Sequence, residues 1–328
     1  MRPDVRVTLG VHDCPGSAHH CRQSLAGGAG PLALALMLAA GAASEPVAAQ
    51  ERKPGDVTGS ASVTGFSQLE TDLSDGGNFR VEGGVVAGSV TWQLSRQFSA
   101  GVSLRYDFES WHFSTPNALG RVAPWGDLNR PSVGVNLAYQ HASDLALFVA
   151  PQIEWAYETG ASAGNAKSYG AVVGVTKVFS PTLVLGLGAG VFRQIDETRV
   201  FPFVIINWQI DDKWRLTNPL RAGPAGGAGL ELAYAIDANW ELAGGGTFRE
   251  YRFRLRDDGP VPDGIGQNRG IPLFARLSRK LGPKGRIDLY AGAVVGGQLE
   301  VTSADGNATS SSDYRTAPLF GITAALDF

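Results

Sequence analysis

The stretch Thr247 to Arg256 reads TFREYRFRLR and carries Glu250, Arg252, Arg254 and Arg256 at alternate positions. In a strand, alternate residues share a face, so three guanidiniums and a carboxylate stand in one row. Charged rows of this kind select solutes in pores, and a basic one attracts anions or hydroxyl-rich molecules. The same parity puts Arg105, Asp107, Glu109, Gln152, Glu154, Arg215, Glu231, Arg276, Asp288, Gln298 and Glu300 on the polar faces of their strands. The carboxylates are numerous enough to neutralise the guanidiniums from neighbouring strands. Two readings follow, an unpaired basic stripe along a lumen and an interior filled by its own ion pairs.

A second constellation could do nucleophilic chemistry. In ESWHFSTP, Glu109 to Pro116, His112 shares a face with Ser110 and Ser114. A histidine that takes a serine proton makes an alkoxide able to attack an ester. Glu109 has the opposite parity and serves as the acid only if the strand ends or twists there. Locally the segment resembles outer-membrane lipid A deacylases, which set a His and a Ser two apart facing the outer leaflet. That resemblance implies a hydrolase using His112 with Ser110 or Ser114; the plain reading is a histidine in an interfacial belt. Gly186-x-Gly188-x-Gly190 precedes no helix and cradles no phosphate. Its glycines keep space open or admit a bulky neighbour. No metal-ligand spacing occurs in the remainder, and no cofactor is expected.

The elements that carry these residues are strands. Val133, Val135, Leu137 and Tyr139 alternate with small or polar residues, and so do Leu145 to Tyr157, Phe98 to Phe108 and Leu183 to Val191. Short turns fall at 95–97, 141–144, 180–181, 211–213, 237–239 and 282–285. Loops, several of them long, fall at 71–78, 114–129, 158–167, 196–198, 222–226, 256–269 and 302–315. Short and long connections at opposite ends describe an all-β, up-and-down antiparallel transmembrane barrel over 57–328. The count is fourteen strands, with twelve as the lower alternative, and the even number places both ends in the periplasm. Trp240 and Leu242 share parity with Arg252, so a bulge within Gly244–Gly246 is expected to switch the phase and keep the arginines off lipid.

Composition agrees. The 328 residues include 43 Gly and 7 Trp, with 18% charged and a net charge of −3, which leaves no basic stripe for nucleic acid. Pro31 to Ala43 is a signal-peptide core, and Val47 and Ala49 suit a cleavage site before Gln50. Residues 1–49 then form a leader, 50–56 a short periplasmic segment, and the chain beyond has no cysteine. Cys14, Cys21, His19 and His20 lie in that leader, where an upstream start explains them better than a metal cluster does.

Aromatic residues gather at both ends of the strands: Trp92, Phe98, Tyr139, Phe179, Trp208, Trp214 and Trp240 beside the turns; Phe108, Trp155, Tyr157, Tyr169, Tyr251 and Phe253 beside the loops. Two such girdles suit rings at headgroup depth. A soluble sandwich would gather them in one core. The chain ends on Phe320, Ile322, Ala324, Leu326 and Phe328, which resembles the C-terminal signal of Gram-negative outer-membrane proteins. FSPTLVLGLGAGVF, PFVIINWQI and FREYRFRLRDDG resemble functionally uncharacterised porin-like barrels of the same membrane. The resemblance implies the outer membrane as location, its lipids and lipopolysaccharide as surroundings, and barrel-assembly machinery reading strand 316–328. The expected function is a channel for small hydrophilic solutes, anionic ones if the arginine row is free. A structural or adhesive surface barrel and the outer-leaflet lipid hydrolase are the alternatives.

Overall fold

The structure, a computed structural model, describes residues 53–328 except 116–118, 120, 121, 220–222, 227 and 307. The expected leader, the signal peptide with its cleavage site, and residues 50–52 lie outside the described residues. Strands run in order as β1 (Val57–Asp72), β2 (Asn78–Gln93), β3 (Phe98–Ser114), β4 (Leu128–Ala142), β5 (Leu145–Trp155), β6 (Tyr157–Glu158), β7 (Lys167–Ser180), β8 (Leu183–Gln194) and β9 (Glu197–Gln209). They continue as β10 (Trp214–Thr217), β11 (Gly229–Ala235), β12 (Trp240–Thr247), β13 (Arg249–Arg254), β14 (Ile265–Leu281), β15 (Gly285–Thr302), β16 (Ala308–Tyr314) and β17 (Ala317–Asp327). The pairs β5/β6, β12/β13 and β16/β17 are single staves briefly interrupted, so the wall has fourteen staves.

Each stave pairs antiparallel with the next, and β17 returns to β1 from Ser60↔Asp327 to Gln68↔Leu319. Closure reaches the last residue, since Phe328 and Gly59 exchange both backbone hydrogen bonds at 2.8 and 2.9 Å. The Phe328 ring lies over Gly59, in the space a Cβ there would take. The wall is inside-out by the standard of a soluble protein. Leu187 on its outer face is 65% exposed, whereas Arg276 on its inner face is 1% exposed. Such a surface suits lipid, where no water can hydrogen-bond an open strand edge.

Three of the short turns repeat one pattern: an apolar residue, a Ser or Asp, two free positions and an aromatic. They are Leu94 to Phe98, Ile210 to Trp214 and Ile236 to Trp240. The side chain at the second position closes each turn. Asp211 Oδ1 accepts from the Lys213 and Trp214 N–H groups at 2.8 Å each, and Asp237 Oδ1 from Asn239 and Trp240 at 2.7 and 2.9 Å. The aromatic then emerges at the foot of the next strand, in the lower girdle.

Five neighbouring staves break at one height. The break is Phe248 between β12 and β13, a bulge between Arg269 and Ile271 in β14, and Gly296 at φ +59 in β15. It continues through residues 315–316 between β16 and β17 and a bulge between Gln68 and Thr71 in β1. Bulges bend a strand and sharpen its twist; lined up across five staves they make a crease. Two segments expected as loops rise above it as strands, namely 265–269 at the start of β14 and 308–314 as β16.

Above the crease the wall tips inward and changes partners. Arg254 of β13 pairs in parallel with Tyr157 of β6, and the Arg254 N–H donates to the Ala156 carbonyl at 2.9 Å. The ring at this level is β1, β2, β3, β4, β6, β13, β14, β15 and β16, nine strands instead of fourteen. β7, β8 and β9 stand outside it. A narrower ring is one that side chains can fill.

The turn geometry yields a pH test. The Lys213 and Trp214 N–H groups hold the Asp211 carboxyl below the ordinary carboxylate range. With the folded value the lower one, the stabilisation is full above that range and disappears as pH falls through the depressed value. Asp211→Ala should lower the thermal midpoint in detergent at neutral pH, and the gap from wild type should close in acid. A gap of equal size at every pH would show that the carboxylate does not close this turn.

Candidate functional site

On the lower inner faces of β1, β2, β3, β4 and β7, Ser62, Ser89, Thr91, Ser103, Asn136 and Thr176 are all half-exposed, which makes this side of the lumen a polar vestibule. At similar height on β14, β15 and β17, Ser278, Asp288 and Thr323 are buried. The glycines on the β7 and β8 inner faces admit bulky neighbours rather than leaving space. The Phe203 ring fills the place of a side chain at Gly188, and Phe148 does so at Gly174. With Ala150, Val172, Phe192 and Phe201 they form an apolar patch on the inner wall.

Beginning on the stave next to that patch, the inner faces of β10, β11, β12, β14 and β15 carry an ion-pair ladder. Arg276 Nε and Nη2 donate to the two oxygens of Glu231 at 3.1 and 2.5 Å, and Nη2 also reaches Glu241 at 2.8 Å. Arg215 meets Glu241 at 3.0 Å, and Arg286 meets Asp288 at 3.0 Å. Ser278 donates to Asp288 at 2.5 Å and contacts Arg276. Three arginines and three carboxylates balance. Burying such charges is tolerable only because every one has a partner of opposite sign.

A second balanced cluster lies higher, on β3 and β4. Asp107 takes Arg105 at 2.7 Å and Arg130 at 3.0 Å, and Glu109 takes Arg130 at 3.1 Å. Tyr251 of β13 donates to Glu109 at 2.6 Å, and the Arg130 guanidinium stacks 4.0 Å from the centre of its ring. Beside them is a cavity of about 60 Å³, lined by these side chains with Glu154, Arg249, Glu250 and the backbone of residues 223–226. That is room for a few waters. Residues 223–226, expected in an outer loop, instead lie inside the barrel: Thr247 Oγ1 donates to the Ala225 carbonyl at 2.6 Å, and Pro224 rests on Gly321.

The nine-strand neck closes the lumen above the cavity. Its core includes Phe79, Trp111, Trp125, Leu128, Tyr251, Phe253, Leu299, Val301 and Tyr314. Phe79 stacks on Trp111 with ring centres 5.2 Å apart, and Trp125 meets Phe253 edge-on at 5.0 Å. Tyr251 and Phe253 therefore do not belong to the outer girdle, and Phe253 is fully buried. No phase switch occurs at Gly244–Gly246: Ala243, Thr247, Arg249 and Tyr251 keep one parity inward. β13 has instead left the wall, so both of its faces are inside the fold.

That departure decides the arginine row. Glu250 reaches Arg199, and Arg252 reaches Glu197 and Asp196 on the β8–β9 hairpin. Arg254 donates to the Asp263 carbonyl at 2.6 Å and the Asn165 carbonyl at 3.3 Å. The row is a set of cross-chain ties, not a free basic stripe. Arg105, Asp107, Glu109, Glu154, Arg215, Glu231, Arg276 and Asp288 face inward as their parity requires. Glu300 and Gln298 do not. The β15 bulge turns Leu299 and Val301 into the core, and Gln298 on the other face donates to Asp313 at 2.8 Å.

The outer faces hold the rest. Trp92, Tyr139, Trp208, Trp214 and Phe328 are exposed at the lower rim, and Trp240 lies under the Arg279 guanidinium at 5.1 Å. Trp155 and Tyr157 stand half-buried at the upper rim. His112, Ser110 and Ser114 share the outer face of β3, but the Ser110 hydroxyl donates to Asp127 at 2.7 Å. No hydrogen bond joins His112 to either serine among the described residues. A residue that parity did not single out is Asn218. Its side chain bonds the Ile206 N–H and the Val204 and Gly229 carbonyls at 3.0 to 3.3 Å, replacing the ladder where β10 stops.

No family model and no curated protein matches this chain. Three solved structures with a similar course are distant. An outer-membrane channel from Pseudomonas putida aligns with 87% of this chain and 99% of its own at 9% identity, TM-score 0.45. The toluene transporter TodX of the same organism aligns with 87% and 93% at 10% identity, TM-score 0.40. The KdgM porin aligns with 80% and 97% at 10% identity, TM-score 0.32. Likeness at this level carries no argument about cargo. The barrel stands on this chain's own strand pairing.

The ladder offers a direct test. Arg276→Met strands Glu231, Glu241 and Asp288 together and should cost about 3–5 kcal/mol in unfolding from lipid vesicles. Adding Glu231→Leu should restore part of that loss. If Arg276→Met alone unfolds at the wild-type denaturant concentration, the ladder is not what holds these staves.

Proposed function

We propose that this chain is an outer-membrane channel for small hydrophilic solutes, held shut at its outer end in the conformation described above. The observation that carries this reading is the abrupt change of lumen at the crease. Below it fourteen staves surround the lumen and one side of its lining is polar and half-exposed; above it the ring shrinks to nine strands and is packed. A barrel serving only as a surface support has no use for a hydroxyl-lined vestibule ending at a crease. The interior clusters are charge-balanced, so the solutes are hydrophilic without a preference for anions. Residues 316–328, with Phe320, Ile322 and Phe328 on the outer face, are the segment offered to the barrel-assembly machinery.

The packed neck itself favours a second reading, a non-conducting structural barrel. The hydrolase reading has no formed nucleophile–base contact to rest on. Conductance separates the first two. In a chain with Cys14 and Cys21 replaced by Ser, Tyr157→Cys and Arg254→Cys place two thiols on directly bridged strands about 5 Å apart, within reach of a disulfide. The reduced form should show openings in a planar bilayer that oxidation abolishes. If neither form conducts, and shortening of residues 255–264 opens nothing, the channel reading falls and the structural barrel remains.

A further inference from the structure

One quarter of the outer wall has an uneven charge. The outer faces of β5, β7, β8 and β9 carry no carboxylate, and their charged side chains are Lys167, Lys177 and Arg193. Lys177, at the lower rim, meets Asp144 at 3.8 Å. The side chains of Lys167 and Arg193, both exposed at the upper rim, make no hydrogen bond or ion pair among the described residues. Arg80 on β2, also exposed at the upper end, has Glu82 at 3.9 Å. The unneutralised cations of this quarter are thus confined to one spot.

Strand register makes that spot a site. Lys167 stands directly across from Trp155, and Arg193 directly across from Tyr169. Lys167 and Tyr169 are two apart on β7 and share its outer face, so the four run as a zigzag over three strands, with Lys167 and Arg193 as diagonal neighbours across β7 and β8. Diagonal neighbours on a sheet lie about 7–8 Å apart, a separation that two long side chains can close around one tetrahedral anion. The height fits as well. Phe179 in the lower girdle and Tyr169 are ten residues apart; at about 3.3 Å each and a tilt of about 40°, they are separated by about 25 Å along the membrane normal, the thickness of the apolar band of such barrels. The two cations therefore sit at the level where phosphates of outer-leaflet headgroups begin, flanked by rings that prefer that boundary.

We propose that Trp155, Lys167, Tyr169 and Arg193 form a binding site for a phosphate-bearing lipid headgroup of the outer leaflet. The phosphate sits between the ammonium and the guanidinium, and the rings pack against the sugar or glycerol portion below it. The site lies on the outside of the wall and does not depend on whether the lumen conducts.

The test uses the refolded full chain in a neutral detergent. Native mass spectrometry counts bound lipid during titration with lipopolysaccharide, with enzymatically dephosphorylated lipopolysaccharide, and with inorganic phosphate as competitor. Wild type should retain the phosphorylated lipid and release it on dephosphorylation. Lys167→Gln with Arg193→Gln should weaken retention about thirtyfold, from two surface cations lost, while Lys177→Gln has no effect. Exchanging the cations, Lys167→Arg with Arg193→Lys, should keep binding and shows that the wall still folds. Equal retention of both lipids, undiminished binding by the double Gln variant, or full displacement by millimolar inorganic phosphate would each overturn the assignment.

Discussion

The structure depends on one constraint: no backbone N–H or C=O in the wall can turn to water. Lipid offers no hydrogen bonds, so every stave must pair on both sides, and the last must find the first. The Phe328–Gly59 exchange satisfies that demand at the seam. Asn218 satisfies it where β10 is too short, by lending an amide side chain to three backbone groups. Pro202, which has no N–H to offer, lies on β9 above the last residue paired with β10. There the missing donor costs the ladder nothing.

The same constraint explains how the barrel can narrow without opening. When β13 tips inward at Phe248, its edge would be left bare. The Ala156 carbonyl takes its Arg254 N–H, and the Glu158 carboxylate takes the Arg256 N–H at 3.0 Å. The wall thus re-closes at nine strands, with these two N–H groups partnered at the join. Inside that smaller ring, rings and branched side chains can meet across the axis, which they cannot do at fourteen.

Charge inside the barrel follows from closeness of strands rather than from excess of one sign. Neighbouring staves stand about 4.8 Å apart, so an arginine on one and a carboxylate on the next meet with little reach. The ladder on β10 to β15 and the cluster on β3 and β4 are both built this way, and each balances. Outside, the reverse holds. The few charges on the lipid face gather at its rims, where water and headgroups can serve them.

Much of this was legible in order of residues alone. Two-residue periodicity, the aromatic feet of the turns and the apolar last strand determine an antiparallel barrel of fourteen staves. They also determine the inward direction of Arg105, Asp107, Glu109, Arg215, Glu231, Arg276 and Asp288, because side chains of a strand in lipid have only two directions to take. The inward lean of β13, the core position of Tyr251 and Phe253, and the outward turn of Glu300 were decided only by the tertiary structure. Parity is a local rule carried from residue to residue. A bulge at Gly296 resets it, and a strand that leaves the wall has no lipid side at all. Whether five such irregularities fall at one height depends on register between staves far apart in the chain, which no single segment encodes.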